Sequence, residues 1–143
     1  MEIFMTVIEL LVYVGVGIAM MMLGYILLDF IIPLEFPKEI KNNNKAVGWL
    51  SAGIYIGLGL IIKSAVSSFT VVTEKVKLMS GLTDTVFYSL IGIIIFMISY
   101  YLEDILNYKY KFNEELKNKN EACGIMIFGI FVGISLIISG VIM

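Results

Sequence analysis

The chain has 143 residues, of which 59% are hydrophobic, and its mean hydropathy is +0.96. A soluble domain of this size could not bury so much apolar surface, so we expect lipid to cover the excess. With 10 lysines, no arginine, 12 acidic residues, no histidine and the one cysteine Cys123, the composition gives no basic face for nucleic acid. It also excludes a disulfide, a histidine-containing metal site and a Ser-His or Cys-His catalytic pair within one chain.

Four apolar stretches follow one another along the chain, each close to the roughly 20 residues that a helix needs to cross the hydrocarbon core. We place these spans at about residues 3–32, 46–70, 85–106 and 121–143. The chain has no lysine before Lys38, and a signal peptide needs a positive start, so we expect the first span to stay in the mature protein. Lys63, near the end of the second span, can reach the headgroups by snorkelling. The sequence therefore predicts one membrane domain over residues 1–143.

Lysine is concentrated in the first and third connections between the spans, and the lysine bias of short loops sets the orientation of a membrane protein. The lysines of these two connections are Lys38, Lys41, Lys45, Lys109, Lys111, Lys117 and Lys119. The middle connection holds only Lys75 and Lys77, beyond Lys63 at the end of the span. We therefore expect a multi-pass protein of the cell (inner) membrane, with loops one and three in the cytoplasm and both termini outside.

The second half of the sequence resembles the first. Residues 36–48 align without gaps on residues 112–124, and the alignment extends into the spans on both sides. Each half, residues 1–73 and 74–143, is predicted to be one helical hairpin. Two spans separate equivalent points, so the hairpins share one orientation, and a pseudo-two-fold axis would run along the membrane normal. The predicted fold class is all-α integral membrane, with four transmembrane helices as two tandem hairpins in parallel orientation.

An asparagine-rich run, Ile-Lys-Asn-Asn-Asn-Lys-Ala at residues 40–46, has an echo at residues 115–122. These runs resemble the signature of the YjfL-like inner-membrane proteins, the family called domain of unknown function 350. The resemblance covers essentially the whole chain and implies a Glu and an Asn-x-Ala before the second helix of each hairpin. Its motif positions here are Glu39, Asn44 and Ala46 in the first copy and Glu115, Asn120 and Ala122 in the second. The resemblance implies a link to membrane stress and no established molecular activity.

Asn44 and Asn120 come just before the apolar runs of spans two and four. An asparagine there is a favoured N-cap, because its side chain accepts a hydrogen bond from an unpaired amide of the first turn. The alternative is that two such helix starts, each carrying about half a positive charge, hold an anion or a lipid phosphate between them.

Carboxylates form a second group of candidate positions. Asp29 and Asp104 end spans one and three, where each is expected to tie its hairpin together or to line the mouth of a pathway. Glu39 and Glu115 either pair across the two repeats or belong to a solvated, locally neutralised loop.

Glycines in the second and fourth spans form small-xxx-small pairs that let helix backbones approach in lipid. These are Gly53 with Gly57 and Gly129 with Gly133. Spans two and four are predicted to meet through them, within one chain or across an oligomer.

Two functions from different classes remain open. The first is a non-enzymatic, homo-oligomeric membrane scaffold or partner subunit, whose partners are the bilayer and a peripheral cytoplasmic protein or anionic lipid. The second is a small oligomeric ion channel or pore, with serines and glycines facing a lumen. We expect no enzyme, cofactor or metal, because no nucleophile has a base beside it.

Overall fold

The computed structural model describes residues 2–70 and 78–142. Within those ranges the chain is helical, without strands, which confirms the predicted all-α class. The helices are α1 (Glu2–Ile31), α2 (Phe36–Lys41), α3 (Lys45–Thr70), α4 (Leu78–Leu106), α5 (Phe112–Lys117) and α6 (Glu121–Ile142). The predicted repeat boundary at residues 73 and 74, with Lys75 and Lys77, lies outside the described residues.

Four of these helices, α1, α3, α4 and α6, are long and apolar enough to cross a membrane, as the sequence predicts. Helix α4 begins at Leu78, earlier than the predicted start near residue 85. The polar residues there are accommodated by the helix itself, because Thr83 and Thr85 donate their hydroxyls to the carbonyls of Met79 and Gly81, both at 2.8 Å. A threonine that bonds four residues back does not interrupt a helix.

Proline sets the boundaries between α1 and α3. Helix α1 ends at Ile31, shortly before Pro33, because the residue before a proline disfavours the helical conformation. The second proline, Pro37, lies in the first turn of α2, where its missing amide hydrogen costs nothing.

Helix α3 is the centre of the bundle. It contacts α6 most extensively and also packs against α4 and α1. In the apolar part of α3, 56% of the residues are buried, compared with 11% in that of α1. Fully buried side chains of α3, at helical spacing, are Leu50, Ile54, Leu58 and Ile61. The large apolar side chains that the bundle leaves exposed, such as Phe30 at 89%, fit a lipid environment.

Aromatic rings fill the space between the helices in each half of the chain. Tyr25 of α1 stacks on Tyr55 of α3 with ring centroids 4.7 Å apart, and meets Phe36 edge-on at 5.5 Å. In the second half, Tyr100 of α4 stacks on Phe131 of α6 at 5.7 Å and approaches Phe112 at 6.2 Å.

Candidate functional site

The candidate site lies at one end of the bundle, where α1 and α4 finish and α3 and α6 begin. We call it the loop end; it includes α2, α5 and the turns beside them. Three hydrogen bonds between described residues connect its halves. Asn44 Nδ2 donates to Leu116 O at 2.8 Å, and Lys119 Nζ donates to Asn42 O at 3.1 Å. At the starts of α3 and α6, Trp49 Nε1 donates to Glu121 Oε1 at 3.2 Å. The structure therefore brings both asparagine-rich runs together within one chain.

The two aspartates make matching bonds to the starts of the short helices. Asp29 Oδ1 accepts a hydrogen bond from Phe36 N at 2.7 Å, and Asp104 Oδ1 accepts one from Phe112 N at 2.9 Å. These amides belong to first helical turns and have no acceptor within their own helices, so each carboxylate satisfies an otherwise unpaired donor. Each aspartate thus joins a long helix to the short helix that follows, rather than to the start of α3 or α6.

Asn44 is the most fully engaged side chain of the loop end. Its Oδ1 accepts from Ala46 N at 3.1 Å and from Val47 N at 3.3 Å, which is the geometry of an N-cap on α3. Its Nδ2 donates to Glu39 Oε2 at 2.8 Å as well as to Leu116 O. With an exposure of 2%, Asn44 is part of the interior and has no face left for an anion.

Asn120 repeats only half of this pattern. Its Nδ2 donates to Glu115 Oε2 at 2.6 Å and its Oδ1 accepts from Cys123 N at 3.3 Å. Asn120 and Ala122 are both exposed, whereas their aligned counterparts, Asn44 and Ala46, are buried. Glu39 and Glu115 therefore bond to asparagines of their own turns and do not pair with each other.

The turn that leads into each second helix has a feature that sequence reasoning missed. Asn43 and Lys119 adopt left-handed conformations, with φ of 58° and 59°. Around Asn43, Asn44 N donates to Glu39 O and Asn43 N to Ile40 O, the bond pair of a Schellman helix end. The signal was the asparagine at position 43, since asparagine enters this region more readily than other non-glycine residues.

Helices α3 and α6 approach backbone to backbone. A Cβ added to Gly124 would lie 2.5 Å from Ala46 O and 2.6 Å from Ala46 Cα, and one added to Gly53 would lie 3.0 Å from Phe128 Cα. Gly57 is close to Phe96 of α4 and to Phe131 O. Spans two and four thus meet within the chain, and Gly124, which the glycine pattern did not single out, makes the closest approach.

The other two predicted packing glycines have no such neighbour. A Cβ added to Gly129 or Gly133 would meet no heavy atom within 4 Å among the described residues. Both glycines are exposed. Nearer the loop end, a hollow of 350 Å³ is lined by Asn120, Ala122 and Met126, among others.

At the loop end, the acidic side chains all have hydrogen-bond or ion-pair partners, whereas several lysines form no ion pair. All eight acidic side chains there accept a hydrogen bond or an ion pair within the described part of the chain: Asp29, Glu35, Glu39, Glu103, Asp104, Glu114, Glu115 and Glu121. Among the lysines, Lys38, Lys45 and Lys111 form exposed ion pairs. Lys41, Lys109 and Lys117 are exposed and form no ion pair with a described residue.

A second hollow, of 680 Å³, lies on the α1 side of the loop end. Charged side chains, among them Asp29, Lys38 and Lys117, line one part of it, and Ile26 and Phe30 line another. Within residues 2–70 and 78–142, no three acidic or cysteine side chains stand close enough to hold a metal ion.

Three serines within the spans are buried inside the single chain. Ser51, Ser89 and Ser135 are each at most 7% exposed. Ser51 shares a hydrogen bond with Tyr25 at 3.4 Å, and Ser135 donates to Val132 O at 2.8 Å. Ser89 Oγ has no hydrogen-bond partner among the described atoms.

A comparison with models of protein families shows to which family the chain belongs. A family model described as "Domain of Unknown Function (DUF350)" matches residues 2–142, which include both asparagine-rich runs and all four apolar helices. The chain belongs to the DUF350 family. The resemblance inferred from the two runs is thereby confirmed, and Glu39, Asn44, Glu115 and Asn120 all lie inside the DUF350 match.

A relative supports the same assignment. The chain is 22% identical over 132 residues to the UPF0719 transmembrane protein YshE of Bacillus subtilis (strain 168), which covers 92% of this chain and 91% of that protein. No solved structure matches. With its four apolar helices and a transmembrane relative, this DUF350 chain is a multi-pass membrane protein.

Proposed function

We propose that the protein is a non-enzymatic, homo-oligomeric scaffold or partner subunit of the cell membrane, which recruits a peripheral cytoplasmic protein or anionic lipid at the loop end. The observation that carries this proposal is the pairing of every acidic side chain there, while Lys41, Lys109 and Lys117 stay available. These three lysines are the cationic groups there that can bind an anionic partner, and each lysine near a membrane surface contributes about 1 kcal/mol towards anionic lipid. The family resemblance links this role to membrane stress.

The proposal includes a duplicated hairpin as the architecture. Its support is the recurrence of the same contacts at aligned positions: the Asp29 and Asp104 bonds to phenylalanine amides, and the two tyrosine stacks. Tandem hairpins of one orientation put the loop end on a single side of the membrane. The lysine bias assigns that side to the cytoplasm and both termini to the outside.

The alternative, a small channel or pore, is weakened by where the serines lie. Ser51, Ser89 and Ser135 are buried between helices of one chain, so they are not free to line a lumen shared by several copies. A pore would also need polar groups at successive depths on one exposed face. Conductance of reconstituted liposomes above that of empty vesicles would restore this alternative.

A lysine variant tests the scaffold proposal. We expect the triple variant Lys41→Gln, Lys109→Gln, Lys117→Gln to lose most of its bound anionic partner, because three contributions of about 1 kcal/mol correspond to roughly a hundredfold in affinity. The measurement is native mass spectrometry of the protein released from membrane nanodiscs, scoring retained phosphatidylglycerol and co-purifying protein separately. The matched control is Lys63→Gln, an exposed lysine of α3 away from the loop end, which should retain both. Equal retention by the triple variant and the control would overturn the proposal.

A further inference from the structure

The contact between α3 and α6 uses one face of each helix. On α3 the contacting residues at successive depths are Asn44, Ala46, Gly53 and Gly57, which we call the seat. On the other side they are the Leu116 carbonyl, Gly124, Phe128 and Phe131, which we call the ridge. The seat belongs to the first half of the sequence and the ridge to the second.

In the alignment of the two halves, the seat and the ridge each have a counterpart in the other half of the chain. The aligned counterparts of the seat are Asn120, Ala122, Gly129 and Gly133, which form a second seat on α6. The aligned counterparts of the ridge are Ile40, Gly48, Ala52 and Tyr55, which form a second ridge on α2 and α3.

The second seat is uncovered by the described part of the chain, whereas the second ridge is partly covered, since Tyr55 stacks on Tyr25 of α1 and Gly48 and Ala52 are half-buried. All four residues of the second seat are exposed, and a Cβ added to Gly129, Gly133 or Gly48 would meet nothing within 4 Å among the described residues. Of the second ridge, Ile40 is 45% exposed and Tyr55 39%. The hollow of 350 Å³ at Asn120 lies where, at the first seat, the second half of the chain packs on Asn44 and Ala46.

We infer that the second seat binds the second ridge of another copy of this chain, which repeats between molecules the contact that α3 and α6 make within one. In that complex Asn120 Nδ2 donates to the Ile40 carbonyl of the neighbouring copy, as Asn44 Nδ2 donates to Leu116 O. Gly48 of the neighbour lies against Ala122, as Gly124 lies against Ala46. The inference rests on the duplicated hairpin and homo-oligomer proposed above, and it specifies the surfaces and the symmetry.

The geometry makes this association head-to-tail. At about 100° per residue, the seat and the second ridge lie on opposite sides of α3, and the second seat and the ridge lie on opposite sides of α6. One copy can therefore contact a neighbour at each side through two different faces, which is a heterologous interface. A two-fold dimer would instead bring Gly129 of one copy against Gly129 of the other.

Disulfide trapping separates these arrangements. In a Cys123→Ser background, one tagged copy carries Gly129→Cys and a second, differently tagged copy carries Ala52→Cys. Gly129 aligns with Gly53, and Ala52 aligns with Phe128. A Cβ added to Gly53 would lie 3.0 Å from Phe128 Cα, within the reach of a disulfide. Oxidation in native membranes should give a dimer that carries both tags, and neither variant expressed alone should give one. A dimer from Gly129→Cys alone, or no mixed dimer, would overturn the inference.

A variant that blocks the second seat tests the same interface by its effect on the molar mass of the protein. Gly129→Leu with Gly133→Leu fills the second seat at positions where an added Cβ meets no described atom within 4 Å. We therefore expect folded protein whose molar mass in mild detergent falls to that of one chain, 16.0 kDa. The control is Ile137→Leu, a 70% exposed position elsewhere on α6, which should keep the oligomer. An unchanged oligomer in the blocking variant would contradict the interface. Loss of partner binding is read separately with the lysine variant, so either proposal can fail while the other stands.

Discussion

Two aligned asparagines have different surroundings because only one of them reaches across the bundle. Asn44 makes four hydrogen bonds, two as acceptor from helix amides and two as donor to Glu39 and Leu116. Asn120 caps its helix and binds Glu115, and among the described residues it has no counterpart of the Leu116 bond. A buried polar group is costly when it loses a partner, whereas an exposed one can turn to water.

This difference predicts unequal losses of stability. Asn44→Ala should lower the free energy of unfolding by about 2 to 3 kcal/mol, because it removes a helix cap and a buried hydrogen bond together. Asn120→Ala should cost about 1 kcal/mol, the usual contribution of a cap. The measurement is unfolding of the monomer in mixed detergents, with the exposed Asn42→Ala as a control that should change little. Equal losses at positions 44 and 120 would contradict the assignment.

Among the helices, the packing of α3 against α6 is controlled by which small residue faces a backbone. Gly124 lies against the main chain of Ala46, and a main chain cannot rotate aside as a flexible side chain can. Its aligned counterpart, Gly48, has open space beside it among the described residues. Of these two aligned glycines, Gly124 therefore has a packing role and Gly48 has none among the described residues of an isolated chain.

A pair of alanine substitutions tests this contrast. Gly124→Ala should destabilise the monomer by about 1 to 3 kcal/mol, the range observed for overpacking a close contact. Gly48→Ala should instead be neutral or stabilise the helix by up to about 1 kcal/mol, since alanine restricts the unfolded chain more than glycine. Both are measured by detergent unfolding of the monomer. If Gly124→Ala were tolerated as well as Gly48→Ala, the close approach of α3 and α6 would be wrong.

For the whole molecule, the charged loop end and the apolar bundle together determine how the protein lies in the membrane. The lysines of both asparagine-rich connections project from the same end of the bundle. The middle of the bundle is apolar, and Ser51, Ser89 and Ser135 are buried there. Orientation therefore depends on the loop end, which the positive-inside rule assigns to the cytoplasm.

Single-cysteine labelling checks this orientation. In the Cys123→Ser background, an impermeant maleimide should label Ile3→Cys and Val141→Cys in intact cells, because these exposed positions lie at the opposite end of the bundle. Lys41→Cys should react only after the membrane is permeabilised. Labelling of Lys41→Cys in intact cells would reverse the assignment.

The sequence by itself determined the helical class, the four spans, the family and the positions of the motif residues. These depend on hydropathy over about 20 residues and on local patterns, which a single chain displays directly. The expectation that Asn44 and Asn120 lie at helix starts depends in the same way on local sequence, since capping involves only nearby residues.

Only the tertiary structure decided which copy of each motif is buried. The Asn44 bond to the Leu116 carbonyl, the contact of Gly124 with Ala46 and the open space at Gly129 all depend on how α6 lies against α3. A backbone carbonyl leaves no trace in the residue pattern, and aligned glycines look alike in sequence. One interface can cover only one of two equivalent faces, and that choice is made by packing across the chain.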